Sequence, residues 1–322
     1  MKAQNIHQLT LPTPFAVGDV HAYLHVGDRV TLFDAGVYTE KAWESLKDQL
    51  KELSLKPEDV DEIVLTHHHP DHIGLVGKFT NVKRVYGHPY VNNWLTKDER
   101  YFKMYIDFFN QLYDDWGVPE AYREIEKSTA NYSNFVFKSA LTDELLEGQK
   151  IEGLPSIEVL ETPGHAQSHL SFFDHESGIL IGGDHIIKHI SSNPLLEPPS
   201  DKGIERPRPL LDYRQSMLKL KDYDITEILP GHGEVLREYR ALIDDRILKQ
   251  EKRAYKVLDF IKNNSATPFE ICKFLFPKHY EKQFGLTMSE TVGQLDYLQS
   301  VGEIVEVRKD NVITFESTSC YA

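Results

Sequence analysis

Residues 63–74 read Ile63-Val64-Leu65-Thr66-His67-His68-His69-Pro70-Asp71-His72-Ile73-Gly74. An apolar run of strand character stops, and imidazoles and a carboxylate follow at positions 67, 69, 71 and 72. Neutral imidazole and carboxylate are ligands that zinc and its neighbours accept. On a tight loop, groups at this spacing converge only on ions at the loop's mouth. His68, in between, is expected to turn its side chain to the opposite side. A histidine tract alone is also compatible with a solvated loop, so the rest of the chain decides.

Three further segments repeat the arrangement. Ile157-Glu158-Val159-Leu160 runs into Thr162-Pro163-Gly164-His165, Ile179-Leu180-Ile181 into Gly182-Gly183-Asp184, and Ile225-Thr226-Glu227-Ile228-Leu229 into Pro230-Gly231-His232-Gly233. Short β-branched runs ended by Gly and Pro read as buried strands. If their loops leave from one edge, all four meet at one place, and strand ends hold a ligand set rigidly.

Together these pieces resemble the metallo-β-lactamase superfamily. His67, His69, Asp71 and His72 match its HxHxDH signature, and the order and spacing of the four loops are similar over roughly residues 15 to 240. The resemblance implies an α/β fold, a four-layer αββα sandwich, with two divalent metal ions per chain. His67, His69 and His165 would hold one metal, and Asp71, His72 and His232 the second, with Asp184 bridging. Relatives that lose a ligand bind one metal or turn to redox chemistry, but here no ligand position is missing. Zinc is expected first, while manganese and iron also accept such ligands.

The remaining histidines do not match the ligand pattern. His68, His169, His185 and His189 read as supporting or structural groups, with His185, beside Asp184, the best of them for a substrate contact. His21 and His25 lie four apart on an expected strand and should not chelate together. Asp34, in Leu32-Phe33-Asp34-Ala35-Gly36, resembles the family's buried aspartate that braces the His67 loop. A plain turn former before Gly36 is the other reading.

The chain has 322 residues, enough for a large α/β domain, expected over 1–240, and a small appendage over 241–322. No apolar run reaches the length of a membrane span, and Met1 to Phe15 lacks the pattern of a signal peptide. The two cysteines, Cys272 and Cys320, build no disulfide framework. These features point to the cytoplasm and away from a secreted antibiotic-degrading enzyme. A formal charge of −14 disfavours long nucleic acid as a partner. The pocket is a local exception, because two divalent ions against two aspartates leave about two positive charges there.

Residues 88–150 interrupt the fold as a helical insertion. Tyr101 to Trp116 is aromatic at helical spacing, and a second helix is expected from Pro119 to Asn131. The insertion could cap the metal site and shape an apolar pocket, form a homodimer interface, or pack against the sheet. The Pro-rich stretch from Lys188 to Arg214 leaves from the metal edge, and its Arg206 and Arg208 are candidates to clamp an anionic substrate tail. From about residue 240 the pattern becomes helix (Arg240 to Asn263), helix (Pro268 to Phe276), helix (Ser289 to Ser300) and a two-strand wing around Asp310-Asn311. That is a winged-helix-like order. Its third helix carries Glu290, Gln294 and Asp296 and no Arg or Lys, the wrong sign for a major groove.

The resemblance thus implies a hydrolase. A metal-bridging hydroxide would attack the ester, thioester or lactone-type carbonyl of a small metabolite, and Asp71 would orient it and pass its proton on. A metal-dependent phosphodiesterase or ribonuclease is the alternative, and a non-catalytic metal-bearing regulator stands behind both.

Overall fold

A computed structural model describes residues 5–200, 204–262 and 264–320. Strands β1 (Ile6–Leu11), β2 (Val20–Val26) and β3 (Val30–Phe33) form an antiparallel meander. Helix α1 (Glu40–Glu52) leads to β4 (Glu62–Val64), which pairs parallel with β3. After the short helix α2 (Pro70–Ile73) comes β5 (Arg84–Gly87). The insertion then supplies α3 (Val91–Leu95), α4 (Glu99–Asp115) and α5 (Ile125–Asn134), and β6 (Asp143–Glu144) closes a sheet of order β1-β2-β3-β4-β5-β6. The second sheet contains β7 (Ile157–Glu161), β8 (Leu170–Asp174), β9 (Ile179–Gly183) and, beyond α6 (Pro209–Lys219), β10 (Glu227–Pro230). Its order is β10-β9-β8-β7, with β10 parallel to β9. The chain ends with α7 (Tyr239–Ile261), α8 (Pro268–Leu275), α9 (Phe284–Ser300) and the hairpin β11 (Ile304–Lys309) and β12 (Val312–Ser317).

Alternation along the strands sorts side chains into layers. Tyr23, Phe33, Val64, Val159, Phe172, Ile181 and Leu229 meet between the two sheets. The Phe33 and Phe172 rings stand 5.4 Å apart there. Their strand neighbours Leu24, Leu32 and Ile63 face outward onto Leu46 and Leu50 of α1. Leu160, Leu180 and Ile228 face the other way, onto Tyr213 and Met217 of α6 and Ile243 of α7. The four-layer αββα sandwich is therefore present, and the strands are apolar on both faces because both faces are covered.

The C-terminal elements follow the expected order. Thr267 caps α8 in a reciprocal pair with Glu270. The end of the α7 reading, Asn263, lies outside the described residues. Two boundaries differ from expectation. The helix expected from Pro119 begins only at Ile125, because the Arg123 side chain takes the Val118 carbonyl and ends the preceding turn. Helix α9 starts at Phe284 rather than Ser289 and is buried on nearly every side, Gln294 and Asp296 included. With α6, α7 and α8 packed around it, this helix has no free face to lay in a DNA groove.

The insertion packs mainly on these C-terminal helices. Phe109, Tyr113 and Trp116 share one core with Ala254, Val257, Phe269, Val292 and Leu295. The start of α4 instead leans on Trp94, whose ring lies 5.3 Å from Phe102 and 5.8 Å from Tyr105. Among the described residues no helix is long and apolar enough to cross a membrane.

Candidate metal centre

Four strand-end loops deliver the seven expected ligands to one edge of the sandwich. Ligand atoms of His67, His69 and His165 form one group, His67, His72 and Asp184 a second, and Asp71, His72 and His232 a third, each within 4.8 Å of one another. The first loop turns because Pro70, which needs no N–H partner, opens α2 and places Asp71 and His72 on its single turn. Asp34 anchors it from beneath. Its Oδ1 accepts the Thr66 N–H at 2.8 Å, and its Oδ2 accepts from Thr66 Oγ1 at 2.8 Å and from His72 Nδ1 at 2.7 Å. Asp34 holds φ 60°, a left-handed conformation that Asp tolerates better than most residues. Both sequence readings of Asp34, turn former and brace, describe the same residue.

Four of the five ligand imidazoles are aimed by a bond on the far nitrogen. His72 Nδ1 meets Asp34, His165 Nδ1 donates to the Asn193 carbonyl at 3.0 Å, and His232 Nδ1 donates to the Asp19 carbonyl at 2.7 Å. His67 Nδ1 lies 2.9 Å from Thr66 Oγ1. The Nε2 atoms of all four are thereby left to face the cluster, while His69 presents Nδ1. Partners of this kind fix tautomer and orientation in metal-ligating histidines.

The donor set fits divalent ions. His69 Nδ1 lies 2.9 Å from His67 Nε2 and 3.0 Å from His165 Nε2. Asp184 Oδ1 is 3.3 Å from His72 Nε2, and Asp184 Oδ2 is 3.4 Å from His232 Nε2 and 3.5 Å from His165 Nε2. Nitrogens bound about 2.0–2.1 Å from a tetrahedral ion stand about 3.3 Å apart. The buried atoms His72 Nε2, His232 Nε2 and Asp184 Oδ1 have no hydrogen-bond partner, and a bound ion is one of the arrangements that satisfies buried polar atoms of this kind. Only glycine fits at position 231, where a Cβ would lie 2.1 Å from Asp184 Oδ1 and 2.8 Å from His72 Cε1.

Electrostatics agree. Burial and the neighbouring imidazoles hold His67 and His69 well below the usual histidine range, so both stay neutral, as a ligand must. Burial also works against charge on His72 and His232. Asp184, together with Asp34 and Asp71, nevertheless lifts His72 well above its ordinary value, and Asp184 and Asp71 lift His232 to about 10. Asp184, despite burial, is held well below the carboxylate range by His232 and His72. The carboxylates thus hold positive charge in a buried cluster, the field in which a divalent ion is stable.

The other histidines divide as follows. His169 accepts the Asp184 N–H at 3.1 Å and bonds Thr162 Oγ1 at 2.8 Å. His68 turns away from the ligands, stacks 4.9 Å from the Trp94 ring, and bonds Ser168 Oγ and Glu197 Oε1, both at 2.8 Å. Two substrate-contact expectations need correction. His185 is fully buried against Tyr213, and burial pushes its pKa down to about 3, so its ring is not exposed as the expected substrate contact would be. Arg206 is paired with both carboxylate oxygens of Asp296, a partner inside α9, so it is not a free anion clamp. Arg208 is exposed at the start of α6. Supporting groups that sequence reasoning missed are Asp19, Ser168, Asn193 and Glu197. Asp19 and Asn193 act through backbone carbonyls, which leave no residue-type signal.

Phe15, Tyr132 and Phe135 form an aromatic face. Phe15 stacks on Tyr132 at 6.1 Å and meets Phe135 edge-on at 5.2 Å. Burial and then the charge of the Asp71 carboxylate push the Tyr132 phenol up, and the residue stays 41% exposed.

The family model described as the metallo-beta-lactamase superfamily matches residues 16–232. The chain is 39% identical to the probable metallo-hydrolase YqjP of Bacillus subtilis, over 98% of this chain and 99% of that one. The crystal structure of a metallo-beta-lactamase family protein from Thermus thermophilus superposes with a TM-score of 0.83 at 26% identity, covering 98% of this chain and all (100%) of that one. An atrochrysone carboxyl ACP thioesterase of Aspergillus fumigatus is 26% identical over 46% of this chain and 43% of its own length.

Proposed function

Because the chain belongs to the metallo-beta-lactamase superfamily and is a metallo-hydrolase, we propose that it cleaves an ester, thioester or lactone carbonyl of a small metabolite at this cluster. The observation that carries the reading is the convergence of seven His and Asp side chains, among whose ligand atoms buried His72 Nε2, His232 Nε2 and Asp184 Oδ1 make no hydrogen bond. His67, His69 and His165 would hold one divalent ion and Asp71, His72 and His232 a second, with Asp184 between them and zinc as the first expectation. Bound there, the ions supply Lewis acidity toward a carbonyl oxygen and lower the pKa of a water toward about 7.

The chain's own residues do the rest. Asp71 Oδ2, 3.3 Å from His232 Nε2, orients the attacking water, takes its proton and passes it toward the leaving group. Asp34 keeps the His72 ring from turning while charge changes around it. Asp71 is thus both ligand and proton carrier.

The cavity beside His68, lined by Trp94, Tyr101 and Glu197, has a volume of about 10 Å³, room for about one water. An acyl chain does not fit there. The Phe15 and Tyr132 face is partly exposed, and we assign the acyl group to it. The similarity to a thioesterase over part of the chain supports a thioester among the carbonyl substrates. The division at residue 240, with a winged-helix-like unit after it, belongs to the same proposal, and that unit is given a supporting rather than a DNA-binding role.

The test is hydrolysis by zinc-loaded protein of a short acyl-CoA thioester and, in parallel, of bis(p-nitrophenyl) phosphate, with Asp71→Ala as control. Thioester cleavage that disappears in the variant is the expected result. Phosphodiester cleavage alone would replace the carbonyl reading with a nuclease-type one.

A further inference from the structure

The segment 187–200 runs from the Asp184 loop across the metal edge and is fastened on both sides. On the metal side, the Asn193 carbonyl accepts from His165 Nδ1 at 3.0 Å. Glu197 accepts the Gln167 N–H at 2.7 Å and pairs with His68 at 2.8 Å, reaching both ligand loops. The Pro198 carbonyl accepts from Gln167 Nε2 at 2.9 Å. On the far side, Asn193 Nδ2 donates to the Leu286 carbonyl in the first turn of α9 at 3.1 Å, and the Leu196 N–H donates to Ser289 Oγ at 3.1 Å. The Leu196 side chain is buried in the C-terminal core. Arg246 of α7, itself buried, donates to the carbonyls of Ile187 and Ile190.

We infer that α9, acting through this strap, sets the orientation of the His165 imidazole, and that Asn193 is the positioning residue that joins them. Its backbone oxygen holds the ring nitrogen that faces away from the cluster, and its side chain holds that oxygen in place against α9. The His165 ring cannot swing without moving the Asn193 carbonyl, and that carbonyl cannot move without breaking from α9. A ligand must stay within about 0.5 Å of its working position to serve an ion, so a helix more than a hundred residues beyond His165 in sequence tunes the site. This also gives the C-terminal unit a role in the metal chemistry without any contact to substrate. The inference rests on the proposed use of His165 as a ligand.

The experiment measures zinc affinity of the full chain by competition with a chromophoric chelator, the absorption spectrum of the cobalt(II)-loaded protein, and thermal unfolding of the metal-free protein. Asn193→Ala is expected to bind zinc about 10-fold more weakly, at the lower end of the effect of groups that orient ligands. Its cobalt spectrum should shift, while the metal-free melting temperature stays within about 2 °C of wild type. Ser289→Ala, which cuts the strap from the same helix, should weaken zinc in the same direction. The control is Leu298→Ala, which loosens the same core about two and a half turns further along α9 than Ser289. It should lower the melting temperature more than Asn193→Ala does and leave zinc affinity of the folded chain unchanged. Wild-type zinc affinity and an unshifted cobalt spectrum in Asn193→Ala would overturn the inference, as would a loss in Leu298→Ala equal to that in Asn193→Ala. A wild-type chain that takes up neither metal would contradict the proposed function as well.

Discussion

The loop from Thr66 to Ile73 and the strap from Ile187 to Ser200 approach the same cluster, and they are built on opposite principles. The loop carries its chemistry in side chains and is held from within the sandwich, by Asp34 one strand away. The strap brings no ligand. It works through backbone carbonyls and one carboxylate, and its anchors lie in α7 and α9. A metal site thus has a layer that binds and a layer that aims, and here part of the aiming layer is anchored in the C-terminal helices.

The comparison can be broken at the binding layer first. Asp71→Ala should lower turnover by about 10²–10⁴-fold, the usual weight of a positioned proton carrier, with circular dichroism unchanged. Near-normal turnover would remove Asp71 from the chemistry. Next comes a stability effect beside the strap. Asp296→Ala removes the buried partner of the partly exposed Arg206 and should cost about 1–3 kcal/mol in urea unfolding. A cost below about 0.5 kcal/mol would mean that Arg206 finds water in its place.

Smaller effects sharpen the contrast. Asp34→Ala should weaken zinc binding about 10- to 100-fold, because His72 loses the partner that fixes its ring. Tyr132→Ala should raise KM for a longer acyl substrate about 10-fold while leaving kcat for the shortest one nearly unchanged, a loss of apolar contact alone. An equal loss for all chain lengths would place Tyr132 in the chemical step instead. Arg208→Ala, at an exposed helix start, should change activity by less than about 2-fold.

Much of the binding layer was legible in the sequence because imidazole and carboxylate announce themselves by residue type and spacing. His67, His69, Asp71 and His72 could be picked from one line of text, and Gly231 and Gly183 marked the turns that bring in His232 and Asp184. The sandwich was legible for a similar reason, since doubly covered strands are apolar throughout. The aiming layer was not. A carbonyl that holds an imidazole belongs to every residue equally, so nothing in the letters singles out Asn193 or Asp19. Arg206 read as a substrate clamp because its partner Asp296 lies far along the chain, and Asp296 itself read only as a charge of the wrong sign for DNA. The aromatic stripe of α4 read as a pocket wall, a dimer face or a face packed on the sheet. Most of it instead joins the insertion to the C-terminal helices, a contact between segments that no local pattern encodes.

The most direct measurement is the zinc content of exhaustively dialysed protein, wild type beside Asp184→Ala. The account expects about two zinc ions per wild-type chain, as in other two-metal hydrolytic sites, and a clear loss when the shared carboxylate is removed. A wild-type chain that retains no zinc, or an Asp184→Ala chain that retains as much as wild type, would contradict it.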